Sequence, residues 1–207
     1  MSADVRCTRS EAATSPNEAA NYRQVLARIE RLPDDVKSWF QIVPELIEGY
    51  EWEVSISYVF TKVETVKHFT LYKGLLKRHR TDAQLTWDLL DKDHMSRSRF
   101  LDLYRIIFDE PIPSLITAHL AAAETVRDRV AHGKGVTDAQ ARFCLMEAFA
   151  FAQDFNDHVA SSAGFRPFGE GRGIRGRAQP LGKETTRWVL RGMGIPPSNA
   201  KKPAAAS

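Results

Sequence analysis

An arginine, a carboxylate and an imidazole fall within six residues in the run Arg127-Asp128-Arg129-Val130-Ala131-His132-Gly133. These residue types suit work on a phosphodiester without a metal. An arginine forks onto non-bridging oxygens and stabilises the charge that grows there. A histidine titrating near neutral pH takes the proton of a ribose 2′-hydroxyl or returns one to the leaving 5′-oxygen. Asp128, accepting a hydrogen bond from His132, would fix its tautomer and raise its basicity. Arg129 and Lys134 would add attraction to an RNA backbone. The set calls for no cofactor.

Geometry limits how these groups meet. In a continuous helix Asp128 and His132 are four apart and share a face. Arg127 and His132 are five apart, about 140° around the axis, and diverge. They address one phosphate if the helix ends between them, a route that Gly133 and Gly135 allow, or if a second copy of the chain supplies one group. A plainer reading also fits the run. A cation followed by glycine is good helix termination, and Glu124 with Arg127 or Asp128 with His132 are ordinary surface pairs worth a few tenths of a kcal/mol, roughly.

The elements that must carry the run read as helices. Asn21–Leu32 is amphipathic, and Pro33 and Pro44 punctuate the chain after it. Tyr50, Trp52, Val54, Ile56 and Tyr58 alternate with polar residues, as in a strand. Trp52, Ile56, Val59, Val63 and Val66 nevertheless recur at helical spacing, and no Gly or Pro interrupts Glu51–Lys73. The length favours one long helix ending in Lys77-Arg78-His79-Arg80. Further helices are expected at Thr81–Lys92, at Ser96–Phe108 behind a Ser cap, and at Ser114–Ala131 after Pro111 and Pro113. Thr137-Asp138-Ala139-Gln140 is a capping-box pattern that opens a last long helix to about Ser161. The fold expected is an all-α helical bundle over residues 19–162, with a disordered tail at 1–18. A Gly/Arg-rich extension follows at 163–207, with a short helix near 183–193 anchored by Trp188, Val189 and Leu190.

Composition bounds the class. The 207 residues are 43% hydrophobic and 27% charged, which suits one soluble domain with tails. Neither a membrane span nor a signal-peptide core stands out, so a cytoplasmic setting is expected. Cys7 and Cys144 lack metal or disulfide spacing, His68, His94, His119 and His158 form no ligand pattern, and no metal site is expected. Residues 163–207 hold nine lysines and arginines against Glu170 and Glu184, a net +7, which leaves −4 on the rest of a chain totalling +3. Arg172, Arg175 and Arg177 alternate with glycines and are candidate RNA contacts.

Arg127, the polar Asp128, and His132 with its following glycine, set between two amphipathic helices, resemble the signature of the HEPN superfamily. The resemblance covers roughly residues 50–162. It implies a helical bundle that dimerises around the motif and a metal-independent endoribonuclease, of the kind found in toxin–antitoxin, antiviral and RNA-processing systems. Cleavage by the 2′-hydroxyl would leave a 2′,3′-cyclic phosphate. Arg127 would stabilise the phosphate, His132 would be the acid/base, and Asp128 would orient it. The partners implied are RNA, a second copy and, in some systems, an antitoxin or other protein. The alternative is a noncatalytic module of the same fold that binds a protein or nucleic acid.

Overall fold

The protein is described from a computed structural model that covers residues 18–93, 95–170 and 179–195. Asn21 caps α1 (Tyr22–Glu30), its side chain accepting from the Gln24 N–H. Past Pro33 come a one-turn helix, α2 (Asp34–Lys37), a 3-10 turn at Ser38–Phe40, and α3 (Val43–Glu48) with Pro44 in its first turn. Pro is tolerated there because the first-turn N–H groups have no helical partner.

The ambiguous segment is helix from Trp52 onward. α4 (Trp52–His79) runs 28 residues, with Trp52, Ile56, Val59, Val63 and Val66 buried. α3, α5 (Ala83–Leu90), α6 (Arg97–Phe108), α7 (Ser114–Ala131) and α8 (Asp138–Ala163) all pack on it. Covered from several sides, α4 buries residues around much of its circumference, so its pattern has no single apolar stripe. At Gly74 an added Cβ would stand 2.4 Å from the Phe108 ring, so this ring of α6 packs directly on the α4 backbone there. α7 and α8 form the most extensive helix pair, antiparallel across a short turn. The Thr137–Gln140 capping box opens α8. Phe40, Phe100, Tyr104, Phe108, Phe149 and Phe155 fill the centre. Among the described residues there is no strand, and no helix is long and apolar enough to cross a membrane.

The chain after α8 folds back on the bundle where it is described. Phe168 is buried, its N–H donating to Asn156 Oδ1 at 3.1 Å and its carbonyl accepting from the Trp39 indole at 2.7 Å. α9 (Lys183–Gly192) packs on α5. Of the expected anchor Leu190 is buried, joined by Thr186 one turn earlier and by Ile195, whereas Trp188 is 76% exposed. A helix this short buries one stripe, and the residue two positions before Leu190 falls on the far side.

Candidate functional site

α7 ends in a Schellman turn. The Gly133 N–H bonds the Val130 carbonyl at 3.0 Å and the Lys134 N–H bonds the Arg129 carbonyl at 2.8 Å. Gly133 holds φ +65°, a left-handed conformation that costs an ordinary L-residue roughly 1–2 kcal/mol. His132 is the cap itself, at φ −96°, ψ 15°, and its N–H still bonds Asp128 O at 3.1 Å. Helical geometry therefore persists to the Cα of His132. Its ring projects from an exposed helix end. Arg129 Nη2 donates to Gly135 O at 3.0 Å and ties the turn, while Lys134 is exposed.

Arg127 is held from two sides. Its guanidinium carbon stands 5.0 Å from the centroid of the Phe60 ring, a cation–π contact from α7 to α4. Its Nε lies 3.1 Å from Asp128 Oδ1, off the line of a good N–H···O bond. The carboxylate expected to orient His132 thus lies against Arg127. The geometry joins Asp128 to His132 through the backbone alone. Arg127 also stands on the wall between two clefts. One, of about 670 Å³, lies between α4, α5 and the end of α7 and includes Phe60, Trp87 and Ala131. The other, of about 520 Å³, includes Lys67, Arg97, Glu124 and Asp128.

Behind Arg127 sits a charge network that sequence reasoning missed. Lys67, on α4, is 1% exposed, with its Nζ 3.0 Å from Glu64 Oε1 and 3.9 Å from Glu124 Oε1. Glu124 is buried and accepts from Arg97 Nη1 at 2.9 Å. Burial pushes its carboxyl above the ordinary value of 4.5, against the pull of Lys67, Arg97 and Arg127. The expected surface pair of Glu124 with Arg127 is therefore a buried network whose close partners come from α4 and α6. The i,i+3 spacing of Glu64 and Lys67 was its one signal in the sequence.

Other candidates resolve as structure. In the basic run, Lys77 Nζ donates to Gly164 O at 2.7 Å, Arg78 to Phe108 O at 2.6 Å, His79 to Ile107 O at 3.0 Å and Arg80 Nε to Gln179 O at 3.1 Å. These side chains satisfy carbonyls where α4 meets its neighbours. His119 Nδ1 lies 2.6 Å from Glu147 Oε2 and its Nε2 3.8 Å from Asp154 Oδ2, linking α7 to α8 at a cleft separate from Arg127. The Cys144 thiol donates to Ala123 O, and burial pushes its pKa up to about 12. Among the described residues no group of three or more His, Cys, Asp or Glu side chains is placed to hold a metal. Arg172, Arg175, Arg177, Cys7 and His94 lie outside the described residues.

No protein-family model matches the chain, and neither a curated protein nor a solved structure matches it.

Proposed function

We propose that this protein is a metal-independent endoribonuclease of HEPN type, acting as a homodimer in the cytoplasm. Arg127 holds the scissile phosphate and stabilises its charge in the transition state, while His132 moves the protons. The 2′-hydroxyl attacks phosphorus and the P–O5′ bond breaks, giving a 2′,3′-cyclic phosphate and a free 5′-hydroxyl. The proton removed from the 2′-oxygen and the one delivered to the 5′-oxygen balance. Asp128 contributes by steadying Arg127, a positioning role that replaces the one first expected. Arg129, Lys134 and the basic stretch with Arg172, Arg175 and Arg177 attract the RNA backbone.

The observation that carries this reading is the continuity of α7 as far as His132. Helical placement sends the Arg127 and His132 side chains about 140° apart. One phosphate then meets both groups only when two copies of α7 lie side by side, Arg127 from one and His132 from the other. A two-fold axis makes two such sites at once.

Cleavage of mixed single-stranded and structured RNA in EDTA tests the proposal. Wild type is expected to leave cyclic-phosphate ends, and Arg127→Ala and His132→Ala to be inactive but folded. Loss of wild-type cleavage on chelation, or full activity in either variant, overturns it. The noncatalytic alternative predicts instead a salt-sensitive affinity that survives Arg127→Ala and is lost on deleting residues 163–207.

A further inference from the structure

The larger cleft beside Arg127 presents mainly hydrogen-bond acceptors. Ser57, Thr61 and Thr65 line it from α4, and each hydroxyl donates its proton to a backbone carbonyl one turn back, at 2.8, 2.9 and 2.8 Å. A carbonyl accepts only, so the hydroxyl protons are committed and the oxygens keep acceptor capacity. His68 follows the same logic: Nδ1 lies 3.1 Å from Glu64 O and must donate to it, which leaves Nε2 of the neutral ring as an acceptor. Glu64 and Asp91 add carboxylates. Among the lining side chains, donors come from Arg127 and the Trp87 indole alone. The cleft is rich in acceptors, with one cation at its α7 wall.

A flat platform completes it. Trp87 is 37% exposed, and its ring is held by Phe69, tilted at 5.7 Å, and by Tyr72, edge-on at 5.5 Å. A braced, half-exposed indole offers a rigid face for stacking at little entropic cost.

We infer that this cleft is a nucleobase slot selective for guanine, occupied by the nucleotide whose phosphate Arg127 holds. The inference rests on the reading of Arg127 as a phosphate ligand. Guanine suits the slot because its N1–H and 2-amino group place donors side by side on one edge, facing carboxylate and imidazole acceptors. Uracil offers a single N–H on that edge, between two carbonyls that these acceptors repel. The base stacks on Trp87, and the anionic end of the nucleotide meets the only charged donor among the lining side chains. Trp87, Asp91 and His68 are thereby specificity-determining residues.

The test titrates the full-length wild-type protein in EDTA with guanosine 5′-monophosphate, uridine 5′-monophosphate, inorganic phosphate and spermidine. The readouts are affinity and the indole N–H resonance of Trp87, assigned by its absence in Trp87→Leu. Guanosine monophosphate is expected to bind about tenfold or more tighter than uridine monophosphate and to shift the Trp87 resonance. Trp87→Leu should weaken guanosine monophosphate by about tenfold, and Asp91→Asn should reduce the preference while circular dichroism stays native. Asp91 is exposed, so Asp91→Asn carries the test even if Trp87→Leu fails to fold. Equal affinity for the two nucleotides, no binding, or an equal Trp87 shift with spermidine overturns the slot. Mononucleotides carry no scissile bond, so this outcome is independent of cleavage. A guanine preference without nuclease activity would overturn the function and keep the slot; His132-dependent cleavage with no base preference would do the reverse.

Discussion

The guanidinium of Arg127 rests 5.0 Å from the centre of the Phe60 ring, and this contact fixes its place between two clefts. An aromatic face holds a cation without using its N–H donors, so those facing the clefts stay available to a phosphate. Phe60→Leu keeps an apolar side chain in a 4% exposed position but removes the π face. Cleavage should fall about tenfold, the effect of losing roughly 1.4 kcal/mol of positioning, with a small drop in Tm. Unchanged turnover in a single-turnover assay would show that the contact does not position Arg127.

The Schellman turn predicts a difference between two neighbouring glycines. Gly133→Ala meets no atom within 4 Å, so its cost is the left-handed backbone alone, about 1 kcal/mol of stability. Gly135 has equal space and no positive φ, so Gly135→Ala should be neutral. Urea denaturation compares them. Cleavage should fall in Gly133→Ala, because relief of its strain moves the His132 cap, and should persist in Gly135→Ala.

Glu124 predicts a pH dependence whose sign follows from its raised pKa. Burial keeps the carboxyl protonated to higher pH in the folded protein than in the unfolded chain, whose value is near 4.5. The resulting stabilisation is full below that pH and is lost as pH rises through the folded value. Glu124→Gln stands in for the protonated form. Wild-type stability relative to this variant should therefore decline as pH climbs from about 4.5 towards neutral. A pH-independent difference in denaturation midpoints would contradict the burial argument.

His119 separates the two histidine sites. With Glu147 on one nitrogen and Asp154 near the other, it has the chemical look of an active-site residue. The proposed function assigns it a structural tie between α7 and α8. His119→Gln should lower Tm and leave cleavage within about twofold of wild type, a difference under roughly 0.5 kcal/mol. Abolished activity in a folded variant would move the catalytic centre to that cleft.

Local features were the legible ones in this sequence. The Ser96 cap, the Thr137 capping box and the Gly133 stop each depend on a few adjacent residues, and each stands where its pattern puts it. Features set by distant partners were hidden. Glu124 reads as half of a surface pair with Arg127 because its burial depends on Lys67, Arg97 and helices joined only in the fold. The basic run 77–80 offers no hint that its targets are carbonyls at 107, 108, 164 and 179. Trp188 has the size of an anchor, yet helical phase leaves it exposed while Leu190, expected beside it, is buried. Of the site itself, residue types and spacing are readable. The extent of α7 to Ala131 was readable as well; that Asp128 lies against Arg127 required the structure.

The most direct test of the composite site mixes two dead proteins. Arg127→Ala and His132→Ala, each inactive alone, are combined in equal amounts, allowed to exchange subunits, and assayed on RNA in EDTA. Random exchange makes half the dimers mixed, and each mixed dimer carries one intact site of two. Cleavage should return to about a quarter of wild type. A mixture as silent as its components, with subunit exchange verified, would contradict a site shared between two chains.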